Sequence, residues 1–402
     1  MVRFRFCYRK NWFSLSQSGP FSTVVITLLL RTVDTGHRPF HIFSVLSGLE
    51  EDILGALIQC TKITEGTEKW AEARRDAVNG LTSLVVRLCG SLGLEMILHV
   101  YDAFLLSLED YTLDRRGDVG AWVREAALSG IEAVSLALLH TSPDKLPSSV
   151  VSQFMPCLVQ QAVEKIDRTR GHAGRIFFAL LHARAGPDGR PLPGIKCREQ
   201  LVAIFPPDAE IKWSVESETF PRFVQLLRLP DYAHRLLLGL VVSVGGLTER
   251  LVKNSSQSLF HELQAMDAAE LAKFCDNLLD IFTKNQKNDR VTYPLFKFLD
   301  QLLTASCMES VLKDPESPYP LALFTLCKTE IVRCGDPNKL MASSDVFCQL
   351  LQSGDNSRNV TGGRVRYGTY MVFLSTYLSF SQCCGSGSGI RCLCDPWIRD
   401  PE

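Results

Sequence analysis

Four cysteines near the end of the chain are the residues whose type best suits metal binding. They are Cys383, Cys384, Cys392 and Cys394. Four thiolates can bind zinc tetrahedrally, but structural zinc sites use cysteine pairs that are separated by roughly two to four residues. The nearby Gly385–Gly389 run lacks the lysine and the following helix of a phosphate-binding loop. We therefore expect an irregular or disordered tail here and no metal or nucleotide site.

The histidines and the paired carboxylates form no recognisable catalytic set. None of the eight histidines lies near a cysteine, serine or carboxylate in a nucleophile or metal motif. His172, His182 and His234 lie beside apolar helical stretches, which favours structural roles. We interpret Glu50-Glu51 and Glu109-Asp110 as solvated helix ends. The sequence therefore predicts a protein that has no active site of its own and no cofactor.

Charged residues in predicted turns are better candidates, and their chemistry suits contact with a partner protein. One group contains Asp114, Arg115 and Arg116, and a second contains Lys165, Asp167, Arg168 and Arg170. Arginine can donate two parallel hydrogen bonds to one carboxylate. Exposed loops of a repeat protein also lie along its binding edge. Salt bridging within the repeats is the alternative, and we favour it for any single one of these residues.

The composition limits the classes of protein that have to be considered. The chain has 402 residues, of which 46% are hydrophobic and 22% charged, so it can bury a sizeable core. Its formal net charge of -1 provides no overall field that would attract nucleic acid or an anionic membrane. Most of its 14 cysteines stand singly in apolar helical stretches, a usage that suits a reducing cytosol.

The N-terminal segment superficially resembles a secretory signal. Basic residues precede an apolar run from Val24 to Leu30, but Arg31 interrupts that run. A membrane-spanning helix needs about 20 apolar residues, many more than this run supplies. We therefore expect neither a signal peptide nor membrane insertion.

The elements that position the charged turns are predicted to be helices. From about residue 47 the hydrophobic period is helical for some three hundred residues, which predicts an all-α domain. Asp267 and Glu270 form a predicted capping box at one helix start. Three apolar stripes mark predicted buried faces. They are Val123, Ala127, Ile131, Val134 and Leu138; Leu271, Phe274, Leu278 and Phe282; and Leu295, Phe298, Leu299 and Leu302.

One internal echo indicates a repeat. The stretch from Arg74 to Leu81 matches the stretch from Arg124 to Ile131 fifty residues later, and a tryptophan precedes each copy. A third copy, from Arg170 to Leu181, fits loosely. The second copy resembles the HEAT signature, in which an acidic turn residue precedes a Val-Arg pair that opens a helix. The residues of this repeat motif are Asp118, Trp122, Val123, Arg124 and Ala127.

Three stretches give the sequence a specific resemblance. They run from Asp110 to Arg124, from Glu164 through Arg168 to His172-Ala173, and from Leu237 to Glu249. In order and spacing they resemble the C-terminal region of tubulin-folding cofactor D, also called tubulin-specific chaperone D. The resemblance covers roughly residues 60 to 352. It implies a HEAT/armadillo-like helical-repeat solenoid.

The resemblance also implies a function. Members of this family bind β-tubulin and assist αβ-tubulin heterodimer assembly and disassembly, together with tubulin-folding cofactors C and E and an Arf-like small GTPase. The family contributes to activation of GTP hydrolysis by tubulin, and the nucleotide lies in tubulin. We therefore expect a cytoplasmic, microtubule-associated protein, with centrosomes or cell junctions as further family locations.

Family members are much longer, so we expect this chain to be a fragment with irregular termini. We predict an unassigned N-terminal segment over residues 1–46, a HEAT-like helical domain over 47–352 and an irregular tail over 353–402. Two alternatives remain open. One is a generic HEAT-type scaffold for another partner, such as a small GTPase, and the other is a truncated product without autonomous function.

Overall fold

The structure is a computed structural model that describes residues 6–8, 11–13, 50–63, 70–186, 189–246 and 248–355. Fifteen α-helices form its bulk. They are α1 Glu50–Thr61, α2 Ala71–Leu88, α3 Leu94–Ser107, α4 Gly120–Thr141, α5 Ser148–Gln161, α6 Asp167–His182, α7 Arg198–Ile204, α8 Glu216–Phe223, α9 Pro230–Val244, α10 Glu249–Gln264, α11 Ala268–Lys284, α12 Asp289–Thr304, α13 Glu309–Leu312, α14 Tyr319–Ile331 and α15 Pro337–Asp355.

Short antiparallel hairpins interrupt this helical chain. Their strands are β1 Phe6–Tyr8 with β2 Asn11–Phe13, β3 Leu113–Asp114 with β4 Gly117–Asp118, and β5 Arg184–Ala185 with β6 Arg190–Pro191. Two 3-10 helices cover Pro143–Lys145 and Val224–Arg228. The predicted all-α fold is confirmed. The β3–β4 and β5–β6 hairpins lie in turns between helices, and their two-residue strands are too short to build a layer.

The helices pack in two rows. In the first row, α1, α3, α5, α9, α12 and α15 follow one another as packed neighbours. In the second row, α2 packs on α4 and α4 packs on α6, and the pairs α8 with α10 and α11 with α14 continue the series. Successive helices thus pack on one another throughout the first row and in parts of the second, which is the arrangement of a HEAT/armadillo-like solenoid.

The core lies between the rows and is built from the predicted stripes. All thirteen predicted stripe residues are buried. The capping box at the start of α11 is also present, because Asp267 accepts from the Glu270 N–H and Glu270 accepts from the Asp267 N–H. Helical period and capping chemistry therefore predicted these faces correctly.

The domain boundaries at 46 and 353 remain predictions. The signal-like run from Val24 to Leu30, the Gly385–Gly389 run and the four tail cysteines lie outside the described residues. Within the described part of the chain, no helix is long and apolar enough to cross a membrane.

Candidate protein-interaction surface

Three buried arginines organise the turns that carry the predicted contact residues. Arg74, Arg124 and Arg170 lie near the starts of α2, α4 and α6, and they are the three largest fully buried side chains in the described structure. Arg74 and Arg124 are the matching positions of the sequence echo, and Arg170 opens its third, looser copy. We call these three residues the arginine ladder.

Each arginine of the ladder pairs with a carboxylate that precedes or opens the next second-row helix. Arg74 Nε lies 2.7 Å from Asp110 Oδ2, before α4. Arg124 Nη2 lies 3.7 Å from Glu164 Oε2, before α6. Arg170 Nη2 lies 3.3 Å from Glu216 Oε1, in the first turn of α8. The ladder therefore ties each repeat to the next through buried ion pairs.

The ladder also fixes the backbone of the turns. Arg124 Nη1 donates to the carbonyl oxygen of Asp110 at 2.8 Å, and Arg170 Nη1 donates to the carbonyl oxygen of Glu164 at 2.9 Å. Burial lowers the pKa of Arg124, but the nearby carboxylates of Glu164 and Asp118 outweigh this effect and hold its pKa above the usual value. A buried guanidinium lies at the centre of each of the three linkages.

One sequence interpretation is wrong at this point. Asp110 was expected to be a solvated helix end, but it is buried and bonded to Arg74. The adjacent Glu109 is exposed and pairs with Arg235 of α9, with the two atoms 2.5 Å apart. Sequence alone does not place Arg74 beside residue 110, because that contact depends on how successive repeats stack.

The repeat-motif residues divide between capping, core and surface. Asp118 Oδ1 accepts from the Ala121 N–H at 3.1 Å and from Arg124 Nη1 at 3.2 Å, so one carboxylate serves both the helix start and the ladder. Val123 and Ala127 are fully buried in the core. Trp122 is half-buried, so its ring reaches the surface of α4.

The first predicted contact group lies on the β3–β4 hairpin. The Arg116 guanidinium donates to Asp114 Oδ2 at 2.6 Å and to Glu72 Oε1 of α2 at 2.5 Å, and it lies 4.9 Å from the Trp122 ring centre. The hydrogen bond from Arg116 holds the pKa of Asp114 below its usual range. Arg115 is exposed, and its side chain makes no ion pair or hydrogen bond with the other residues that the structure describes.

The second predicted group lies where α6 begins, one repeat further on. The prediction is wrong for Arg170, which is fully buried because it belongs to the arginine ladder. Arg168 Nε donates to Glu125 Oε1 of α4 at 2.8 Å, and the Thr169 hydroxyl donates to the same oxygen at 2.8 Å. Lys165 is exposed, and its ammonium has no ion-pair or hydrogen-bond partner within the described ranges. Each predicted group therefore contains one arginine that pairs with a neighbouring repeat, Arg116 or Arg168. Each also contains one cation whose charge is available to a partner, Arg115 or Lys165.

A cleft across the exposed faces of α2, α4 and α6 connects these features. Its volume is about 720 Å³. Its floor contains a hydrogen bond of 2.9 Å between Ser129 Oγ and His172 Nε2. Beside it, both terminal nitrogens of Arg175 bond the Glu132 carboxylate, at 2.8 and 2.9 Å. The lining residues are Arg75, Asn79, Trp122, Glu125, Ala126, Ser129, Arg168, Gly171, His172 and Arg175.

Sequence reasoning identified Trp122 and Arg168 but missed most of this cleft. The sequence did contain a signal for these cleft residues. The internal repeat aligns Arg75 with Glu125 and Asn79 with Ser129. Aligned positions on stacked helices lie side by side on one surface, so their polar character predicts a shared face. The interpretation of His172 as a structural histidine did not anticipate its place in the cleft floor.

A second cleft of about 720 Å³ lies beside α8 and α10 and has a different character. Arg228 spans it and bonds Glu262 and Glu270, while Pro221, Val224 and other apolar side chains form its walls. Across the described residues, no group of three or more histidine, cysteine or acidic side chains is arranged to hold a metal ion.

Comparison with known proteins finds a family that part of this chain resembles. Residues 152–339 match the family described as "Tubulin folding cofactor D C terminal". The predicted resemblance to tubulin-folding cofactor D is confirmed. A protein named tubulin-specific chaperone D, from Dictyostelium discoideum, is 23% identical over 291 residues, which cover 66% of this chain and 19% of that protein.

A second protein is similar to this chain over a shorter stretch. A protein named tubulin-folding cofactor D, from Schizosaccharomyces pombe, is 38% identical over 64 residues, which cover 16% of this chain and 6% of that protein. The chain therefore spans less than a fifth of the length of these cofactor D relatives. The matched family region begins in α5, so it includes the ladder residue Arg170 and the start of α6.

Proposed function

We propose that this chain is part of a tubulin-folding cofactor that binds β-tubulin and assists the assembly and disassembly of the αβ-tubulin heterodimer. The observation that carries the proposal is the match of residues 152–339 to the cofactor D C-terminal family. The relatives' names refer to tubulin folding or a tubulin-specific chaperone, and the family match covers α6 to α14 of the solenoid.

The architecture supports this role physically. A stacked helical solenoid offers a long surface on which a large folded partner can be held through many modest contacts. The arginine ladder fixes the turns of that surface, so charged groups on them are presented in defined positions. We propose Asp114, Arg115, Arg116, Lys165 and Arg168 as the partner-binding residues on these turns.

The wider assembly follows from the same proposal. The chain acts without an active site of its own and contributes to GTPase activation in tubulin, together with cofactors C and E and an Arf-like small GTPase. Its place of action is the cytoplasm and the microtubule cytoskeleton, with centrosomes and cell junctions as further sites. Arginine is well suited to the tubulin contact, because it binds surface carboxylates with two hydrogen bonds.

Binding of the full chain to purified αβ-tubulin tests the proposal. The two proteins are mixed and separated by gel filtration with light scattering, and Arg116→Glu and Arg168→Glu variants are run in parallel. We expect co-elution that weakens in both variants while their circular dichroism stays helical. A helical, monodisperse chain that elutes apart from tubulin would contradict the proposal and favour a scaffold for a different partner.

A further inference from the structure

Arginines form most of the charged lining of the cleft across α2, α4 and α6. They are Arg75, Arg168 and Arg175, and Glu125 is the carboxylate in the lining. Each arginine has an ion-pair partner: Arg75 pairs with Asp76, Arg168 with Glu125 and Arg175 with Glu132. What the cleft offers a ligand therefore depends on which member of each pair carries its charge at the surface.

The geometry of the ion pairs directs that charge towards solvent. The Arg168 side chain is 63% exposed while its partner Glu125 is 20% exposed. Arg175 is 50% exposed while its partner Glu132 is 19% exposed. In both pairs the carboxylate lies underneath and the guanidinium lies outside, so an approaching molecule meets the positive groups first.

These arginines also retain donors for a ligand. Arg168 uses only Nε in its bond to Glu125, and its two terminal nitrogens have no hydrogen-bond partner among the described residues. A guanidinium has five N–H donors, so Arg175 keeps donors beyond the two that it directs to Glu132. Such a pair of terminal nitrogens matches the two oxygens of a carboxylate.

The spacing of the arginines fits a polypeptide. Arg168 and Arg175 are separated by two turns of α6, which is about 10 Å along the helix. An extended chain covers this distance in about three residues. Between them, the Trp122 ring and the Ser129–His172 hydrogen bond give the floor an uncharged character. Burial lowers the pKa of His172, which keeps its ring neutral near pH 7.

We propose that this cleft binds an acidic segment of a partner polypeptide, whose carboxylates bond the outward faces of Arg168 and Arg175. The inference deepens the proposed function: it rests on that function for the identity of the partner, tubulin, and adds the binding chemistry. Arg75, which pairs with Asp76, extends the arginine lining towards α2.

A synthetic peptide tests the chemistry directly with the full chain. The probe is a fluorescein-labelled peptide of glutamates, its control is the same peptide made of glutamines, and binding is read by fluorescence anisotropy. We expect the glutamate peptide to bind and the glutamine peptide not to bind. The double variant Arg168→Gln/Arg175→Gln should weaken binding by about tenfold or more, because two exposed charge pairs are lost.

The matched control removes two positive charges elsewhere. Lys253 on α10 and Lys273 on α11 are exposed, and neither lines a cleft. The double variant Lys253→Gln/Lys273→Gln should bind the glutamate peptide like the unmodified chain. Equal loss in both double variants would show binding to net charge alone and would overturn the proposal.

An opposite substitution separates a binding role from a structural one. Glu125→Gln and Glu132→Gln remove the carboxylates beneath the arginines, so acidic-peptide binding should become about threefold to tenfold tighter. A purely structural role of these ion pairs predicts no gain in affinity. Unchanged or weaker binding in both variants, with circular dichroism unaltered, would contradict the proposal.

The two proposals can fail separately. A chain that co-elutes with tubulin but ignores the glutamate peptide overturns the cleft assignment and leaves the proposed function standing. A chain that binds the peptide through Arg168 and Arg175 but ignores tubulin supports the cleft chemistry and overturns tubulin as its partner.

Discussion

At the scale of single residues, the buried arginines are the side chains on which the turns depend. Arg124 contacts Asp118 and the backbone of Asp110, and it lies near Glu164. Its guanidinium also lies 4.1 Å from the centre of the Tyr111 ring. A buried ion pair adds little net stability over a well-packed apolar pair, but removal of one partner leaves an uncompensated buried charge.

Replacement of Arg124 by methionine should therefore be strongly destabilising. The substitution leaves the Glu164 carboxylate buried without its charge partner, so the free energy of unfolding should fall by about 3–5 kcal/mol. Urea denaturation followed by circular dichroism measures the change. The surface variant Arg75→Met is the control and should stay within about 0.5 kcal/mol of the unmodified chain. A similar, small effect in both variants would show that the ladder has no special role.

His172 makes stability depend on pH. Burial, the largest effect, and Arg175 lower its pKa, while Glu125 and Glu132 raise it less, so the folded pKa lies below the ordinary 6.5. The unfolded chain thus binds this proton at higher pH than the folded chain does, and stability falls as pH drops from above 6.5 through the folded pKa. The thermal unfolding midpoint of the His172→Gln variant should therefore fall less between pH 7.5 and 5.5 than that of the unmodified chain. An equal fall in both proteins would refute a role of His172 in this pH dependence.

How far the sequence predicts these residues depends on the range of their contacts. The echo aligned Arg74 with Arg124, because both copies share local sequence. It did not predict that Asp110 would be buried, since its partner lies in the preceding repeat. Asp114, Arg115 and Arg116 lie on the β3–β4 hairpin, Lys165 lies in a turn and Arg168 lies in the first turn of α6. Their role as a binding surface stays a prediction.

At the scale of elements, one close approach fixes how α9 meets α12. A Cβ atom added to Gly245, at the end of α9, would lie 2.1 Å from the carbonyl oxygen of Pro294 inside α12. Backbone cannot move aside as a side-chain tip can, so this contact requires glycine. The sequence shows a glycine pair at 245 and 246, but it does not show which backbone approaches them.

The variant Gly245→Ala should consequently lose about 1–3 kcal/mol of unfolding free energy, through overpacking against α12. Gly55 in α1 provides the matched control, because a Cβ there meets nothing within 4 Å. Gly55→Ala should be neutral or stabilising by up to about 1 kcal/mol, as expected for a helix interior. Thermal unfolding of both variants provides the comparison, and equal behaviour would contradict the packing argument.

The helices were predictable where the signal was local. Stripe periods and the Asp267–Glu270 capping box predicted buried faces and a helix start that the structure contains. The β3–β4 hairpin was not predicted, because its two-residue strands are too short to show an alternating pattern. The β5–β6 hairpin, whose strands are equally short, was not predicted either.

At the scale of the whole molecule, the first row of helices brings distant parts of the chain together. The Arg290 guanidinium of α12 lies 3.6 Å from the centre of the Tyr111 ring, which follows α3. Arg235 of α9 bonds Glu109 across 126 residues of sequence. Sequence reasoning could not predict these contacts, because they depend on the cumulative curvature of several stacked helices.

The contact between Tyr111 and Arg290 should therefore couple distant repeats energetically. A double-mutant cycle of Tyr111→Leu and Arg290→Ala, measured by urea denaturation, should give a coupling energy of about 0.5–2 kcal/mol. The Tyr111→Phe variant keeps the aromatic ring and should retain most of the coupling energy. It loses only the tyrosine hydroxyl, which accepts a hydrogen bond from Gln161. Additive single effects would mean that the two parts of the solenoid are independent.

Hydrogen–deuterium exchange of the full chain with and without αβ-tubulin tests most directly whether the second-row turns form a tubulin-binding surface. The account predicts slower exchange, when tubulin is present, in the β3–β4 hairpin and at the start of α6. The same segments should be unprotected in the Arg168→Glu variant. Unchanged exchange in both segments at saturating tubulin, or protection confined to α12–α15, would contradict it.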